Sequence, residues 1–126
     1  MHPFIDLLQG RTRPGALVNL AAAAAANAVA IFTLSTLATM VGAKTLVIKR
    51  LMIRNNAAGN TFVHVGTGVA GAFVDAILPL YSINNTTDEY DEWALPRAEL
   101  LATITAYPDA LVGGTIDIQI EVEERG

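Results

Sequence analysis

The chain has 126 residues, a net charge of −4, no cysteine, 52% apolar residues and only 16% charged ones. That length suits a single domain. The missing cysteines exclude disulfides, thiolate chemistry and cysteine-ligated metal sites, and the acidic balance argues against nucleic acid as a main partner. So few charges suggest apolar surface covered by other subunits, although the alanine-rich composition would inflate the apolar count by itself.

Charge is unevenly distributed. Residues 1–63 carry six cations against Asp6 alone, and residues 64–126 carry two cations against eleven carboxylates, net +5 and −9. In a β-sandwich such halves interleave, so acidic and basic strands can lie side by side; on separate surfaces they would favour head-to-tail packing of like subunits.

Residues 1–27 read as an N-terminal arm preceding a β-sandwich domain over 28–126. Phe4, Ile5, Leu7 and Leu8 would share one apolar helical face that Gly10 ends, and Arg11-Thr12-Arg13-Pro14-Gly15 reads as a turn or extended linker. With Arg11 and Arg13, these apolar residues are the candidate contact to a neighbouring subunit; folding back onto the chain's own domain is the competing reading. Arg11 and Arg13 before Ala16–Ala26 imitate a signal peptide, but the charges follow the Phe4–Leu8 cluster, so we expect the segment to be retained. Six consecutive alanines, Ala21–Ala26, cannot hold a helix alone in water. No apolar run reaches the roughly 20 residues a membrane helix needs, and we expect a soluble protein.

Alternation becomes β-like near 28–36. Lys44–Arg54 is a long strand whose phase slips at Lys49-Arg50, where a bulge would reset the apolar face from Leu46 and Ile48 to Leu51 and Ile53. Asn55–Asn60 is a strong turn signal, and Thr61–Val65 reads as the returning strand of a hairpin. Gly66-Thr67-Gly68-Val69-Ala70-Gly71 matches a dinucleotide fingerprint in letters. No helix-forming stretch follows it, however, and a glycine-rich corner of a sandwich is the better reading; no cofactor is expected. Phe73–Ile83, interrupted by Pro79, suits an edge strand.

Asp88, Glu89, Asp91 and Glu92 form the densest carboxylate cluster. They lack the glycine and spacing of a calcium loop and read as a solvated loop with Tyr90 and Trp93 packed beneath. Glu99–Tyr107 is a further strand, and Thr115–Glu123 is the clearest of all. Ile116, Ile118, Ile120 and Val122 alternate there with Thr115, Asp117, Gln119, Glu121 and Glu123, giving one buried face and one acidic face. The basic Lys44–Arg54 strand is a possible complement to that acidic face, within or between subunits. His64, a lone histidine opposite Val63 and Val65, reads as structural, and no residues stand in a nucleophile or metal-ligand pattern. We therefore expect no enzyme, no catalytic residue and no metal.

Strands at roughly ten-residue spacing predict an all-β fold, an antiparallel β-sandwich of jelly-roll-like form. The succession LVIKRLMIRN, FVHVGTG, LPLYSINNTTDEYDEWALPRAEL and IDIQIEVEE resembles the small β-sandwich decoration, or cement, proteins of tailed-bacteriophage capsids over about residues 28–124. The resemblance implies a non-enzymatic virion protein on the capsid surface, a homotrimer bound to the major capsid protein and bridging capsid subunits, with no nucleic-acid or membrane partner. The alternative is a receptor- or carbohydrate-binding β-sandwich of a phage fibre or secreted protein, with Trp93, Tyr90 and Tyr81 as stacking platforms beside Asp88–Glu92.

Overall fold

A computed structural model describes residues 12–34, 40, 42, 45–68, 72–75, 77–91, 99–100 and 103–125. Phe4, Ile5, Leu7, Leu8 and Arg11 of the expected arm lie outside the described residues. The described elements are eleven strands and a short 3₁₀ turn at Ala25–Asn27. They are β1 (Thr12–Pro14), β2 (Val18–Leu20), β3 (Val29–Thr33), β4 (Thr45–Asn55), β5 (Thr61–Thr67) and β6 (Val74–Asp75), followed by β7 (Leu80–Ser82), β8 (Thr87–Asp91), β9 (Glu99–Leu100), β10 (Thr103–Pro108) and β11 (Ile116–Arg125).

All described pairings are antiparallel, and they make two sheets. In sheet A the order is β1-β11-β4-β8, with β2 also on β11 and β9 also on β4; in sheet B it is β3-β10-β5-β6, with β7 also on β5. Three edges are therefore interrupted strands: β1 with β2, β6 with β7, and β8 with β9. Pro14 and Pro79 lie at or beside two of these breaks, where a residue without an N–H costs the ladder least.

The two sheets face each other across one core. Sheet A contributes Leu46, Ile48, Leu51 and Ile53 from β4, and Ile116, Ile118, Ile120 and Val122 from β11. Sheet B contributes Ile31, Val63, Val65, Ile104 and Ala106, and Leu20 and Ile77 complete the cluster. Each large aliphatic side chain buried here contributes about 1.5–3 kcal/mol.

The anchor strand β11 behaves as its alternation predicts, with Ile116, Ile118, Ile120 and Val122 all buried. The phase slip in β4 is a bulge. Against β11 the register runs Glu121↔Arg50 and then Val122↔Ile48, leaving Lys49 as the extra residue. That one residue lets Ile48 and Leu51 both face the core.

Several expectations need correction. β4 and β5 are not a hairpin: β4 pairs with β11, β8 and β9, whereas β5 pairs with β10, β6 and β7. The chain arches from one sheet to the other because Asn55, fully buried, folds the turn onto itself. Its Oδ1 accepts from the N–H of Ala57 at 2.8 Å, and its Nδ2 donates to the carbonyls of Gly59 and Ser82 at 3.1 and 3.3 Å. The carboxylate cluster is not a loop through Asp91 but the edge strand β8, from which Tyr90 packs against the core. Glu99–Tyr107 is likewise divided between the sheets, β9 on β4 and β10 on β5.

Residues 12–20 of the expected arm lie along sheet A. Thr12–Pro14 runs antiparallel to Glu121–Glu123, Val18–Leu20 pairs with Ile116–Ile118, and Leu20 enters the core. Between them Gly15 donates its N–H to the Ile120 carbonyl at 2.7 Å, and its own carbonyl accepts from the Gln119 side chain at 2.9 Å.

Candidate interaction face

The two outer faces differ in chemistry. On sheet A, the register sets the acidic residues of β11 beside the basic residues of β4, Asp117 opposite Arg54 and Glu121 opposite Arg50. Arg54 grips Asp117 Oδ2 through Nε and a terminal nitrogen at 3.2 and 2.7 Å, and Asn19 and Asn56 donate to the same carboxylate at 2.9 and 2.8 Å. These donors, Asn19 first, hold the Asp117 carboxyl below the usual aspartate range against the opposing effect of its burial. Arg50 meets Glu89 at 3.0 Å and Lys49 approaches Glu123 at 3.7 Å. The expected acidic–basic complement thus forms within one subunit, and its charges are largely spent on each other.

Sheet B carries an aromatic outer face. In β5, Val63 and Val65 point into the core, so Phe62, His64 and Gly66 point out. The register sets Phe62 opposite Tyr81 of β7 and His64 opposite Tyr107 of β10. Phe62 and Tyr81 pack with ring centroids 5.0 Å apart and are 44% and 50% exposed. The Tyr81 hydroxyl accepts from the Asn60 side chain at 3.0 Å. Ile83, beyond the end of β7, and Val74 and Leu78 along this edge are also exposed.

Beside this pair sits a closed cluster. The His64 ring stacks on Tyr107, centroids 4.5 Å apart and planes within 7°, and Phe73 sets its edge against Tyr107 at 4.8 Å. Gly66 makes room for that arrangement: a Cβ there would lie 2.0 Å from the Val74 carbonyl oxygen and 2.8 Å from the Phe73 ring. Both imidazole nitrogens face carboxylates, Nδ1 to Asp75 Oδ1 at 2.9 Å and Nε2 to Asp109 Oδ1 at 2.5 Å. Partial desolvation, followed by the charges of Asp75 and Asp109, pushes the Tyr107 hydroxyl above its ordinary value. The two carboxylates lie on opposite sides of the imidazole ring and cannot share one ion. Among the described residues, no group of three His, Asp or Glu side chains is placed to hold a metal.

Of the expected contact residues only Arg13 is described, and Tyr81 and Tyr90 of the expected stacking platform lie in different sheets. Arg13, on β1, points its Nε at Oε1 of the buried Glu124, 2.7 Å away, although the N–H direction misses the oxygen. Tyr90 faces the core of sheet A, Tyr81 lies on the outer face of sheet B, and Trp93 lies outside the described residues. The sequence reading missed Phe62, Phe73, Tyr107, Asp75 and Asp109. The available signal was the alternation of β5, which already put Phe62 and His64 opposite Val63 and Val65. The Gly66-Thr67-Gly68 run ends β5 and leads to the antiparallel β6, with no βαβ unit at these glycines. The sequence matches no known family model, and no curated relative matches it.

Proposed function

We propose that this chain is a non-enzymatic virion structural protein, a capsid decoration protein that stabilises a phage head from its outer surface by bridging capsid subunits. The observation that carries this reading is the asymmetry of the two faces. Sheet A presents the Arg54–Asp117 and Arg50–Glu89 ion pairs, whereas sheet B presents the exposed Phe62, Tyr81 and Ile83. Exposed apolar clusters with a polar surround mark surfaces that other proteins cover. On this reading the sheet B face docks on the major capsid protein, and copies of the chain associate as a homotrimer. Phe4, Ile5, Leu7, Leu8 and Arg11 add a second contact to a neighbour.

The proposed sandwich is a jelly roll, and its strand pairing supports that reading. Counting each interrupted edge as one strand gives eight, ordered first–eighth–third–sixth in sheet A and second–seventh–fourth–fifth in sheet B. First pairs with eighth, second with seventh, third with sixth and fourth with fifth, which is a single two-stranded ribbon rolled into two sheets. Jelly rolls of this kind build viral capsid domains, and lectins as well.

The test is co-sedimentation with phage particles assembled from a major capsid protein, together with native mass measurement. The expected result is a trimer that pellets with particles, reduced binding when residues 1–11 are removed, and loss of binding in Phe62→Asp with the fold intact. A folded protein that never pellets with particles contradicts the proposal. The second reading, a carbohydrate-binding module, is favoured by the exposed Phe62–Tyr81 pair beside the Asn60 amide. Binding on a glycan array that Tyr81→Ala abolishes would select it.

A further inference from the structure

His64 is held in a way that only one protonation state satisfies. A neutral imidazole has one N–H and one lone pair, whereas an ionised carboxylate only accepts. With Asp75 on Nδ1 and Asp109 on Nε2, the neutral ring turns a lone pair toward one carboxylate oxygen. The doubly protonated ring donates to both, and hydrogen bonds between ionised partners are about twice as strong as neutral ones. The side chain of His64 is 13% exposed, so water screens these interactions only in part.

The two arms of this bridge are not equally secured. Asp109 belongs to the turn after β10, where its own N–H bonds the Phe62 carbonyl at 2.9 Å and the next N–H, of Ala110, bonds Thr61 Oγ1 at 3.0 Å. Asp75 belongs to β6, a two-residue edge strand whose ladder consists of Gly66↔Asp75 and Thr67↔Val74. Among the described residues, the other elements around the ring add one titratable group, the Tyr107 hydroxyl of β10; Phe73 contributes only its ring, and β7 places Tyr81 against Phe62 rather than against His64.

We propose that His64 is a proton-operated latch that, when doubly protonated, clamps the edge strand β6 to sheet B through Asp75. Loss of one proton leaves the ring bonded to Asp109 and frees Asp75, so β6 and Phe73 before it loosen from Gly66 and Tyr107. The latch is closed wherever the ring carries both protons and opens where it carries one. The latch concerns the free protein and does not depend on the proposed function. Only its consequence, a pH-dependent border to the docking face, rests on that reading.

Hydrogen exchange of the full chain, corrected for intrinsic rates, tests the latch without any partner. Protection of the amides that bond β6 to β5 should fall by about tenfold or more between pH 5 and pH 8, as one ionic hydrogen bond is lost. His64→Gln should show low protection at both pH values, and Asp75→Asn should flatten the pH dependence while leaving the β5–β10 amides protected. Imidazole ¹⁵N shifts at pH 5 should report two protonated nitrogens on His64. Wild-type β6 protection that is equal at both pH values, or a singly protonated ring at pH 5, would overturn the proposal.

Discussion

Asp117 is the residue on which three segments of sheet A converge, with Asn19 from β2, Arg54 from β4 and Asn56 from the turn after it. Its side chain is 10% exposed, and a carboxylate buried to this degree is tolerable only when its acceptor sites are filled. The same donors lower its proton affinity in the folded state, which sets the sign of its pH dependence. Because the folded value lies below the unfolded one, the stabilisation is fully present above the ordinary aspartate value of 3.8 and is lost as pH falls through the depressed one. Asp117→Asn should therefore cost about 1–3 kcal/mol at neutral pH. In denaturant titrations the gap from wild type should narrow once the pH drops below about 4. A gap that stays constant down to pH 2 would show that the carboxylate charge does not matter there.

At the scale of elements, the N-terminal strand β1 adds a charge pair to its backbone ladder on β11. Arg13 stands opposite Val122 in register and reaches Glu124, whose side chain is 1% exposed. Removing one member of a buried pair leaves the other charge buried, a loss that reaches about 3–5 kcal/mol in dry sites. Arg13 is itself 29% exposed, so screening reduces the expected cost of Arg13→Ala to about 2 kcal/mol. Arg13→Met combined with Glu124→Leu should recover most of it, as apolar replacements of buried pairs generally do. A double variant no more stable than Arg13→Ala alone would mean that β1 is held by its backbone ladder. The bulge at Lys49 is a different kind of element feature, since it was legible as a break in alternation. Which sheet β5 joins was not legible. Val63 and Val65 offer an apolar face to either partner, and the deciding Asn55 side chain acts through a buried turn that the letters Asn-Asn do not distinguish from an ordinary hairpin.

For the whole molecule, the same contrast separates fold from site. Two sheets with inward faces such as Ile116, Ile118 and Ile120 follow directly from period-two alternation, because burial repeats along each strand. The face of Phe62, His64, Tyr81 and Tyr107 does not, because its members come from β5, β7 and β10 and meet only through cross-strand register. Aromatic residues scattered over some 45 positions carry no spacing signal of their own. The carboxylates did carry one, and it pointed elsewhere: Asp88, Glu89 and Asp91 lie on β8 at the edge of sheet A, where Glu89 meets Arg50. Asp75 and Asp109, isolated in sequence, flank the aromatic cluster. Part of the charge asymmetry is met inside the subunit, where β4 and β11 set Arg54 against Asp117 and Lys49 near Glu123.

If the two faces have the roles assigned to them, orientation on the particle is the most direct test. Electron cryomicroscopy of particles decorated with this chain should show the β5–β7 face, with Phe62, Tyr81 and Ile83, buried against the shell, and the Arg54–Asp117 face of sheet A turned to solvent. A decorated particle in which the aromatic face stands open while sheet A meets the shell would contradict the account.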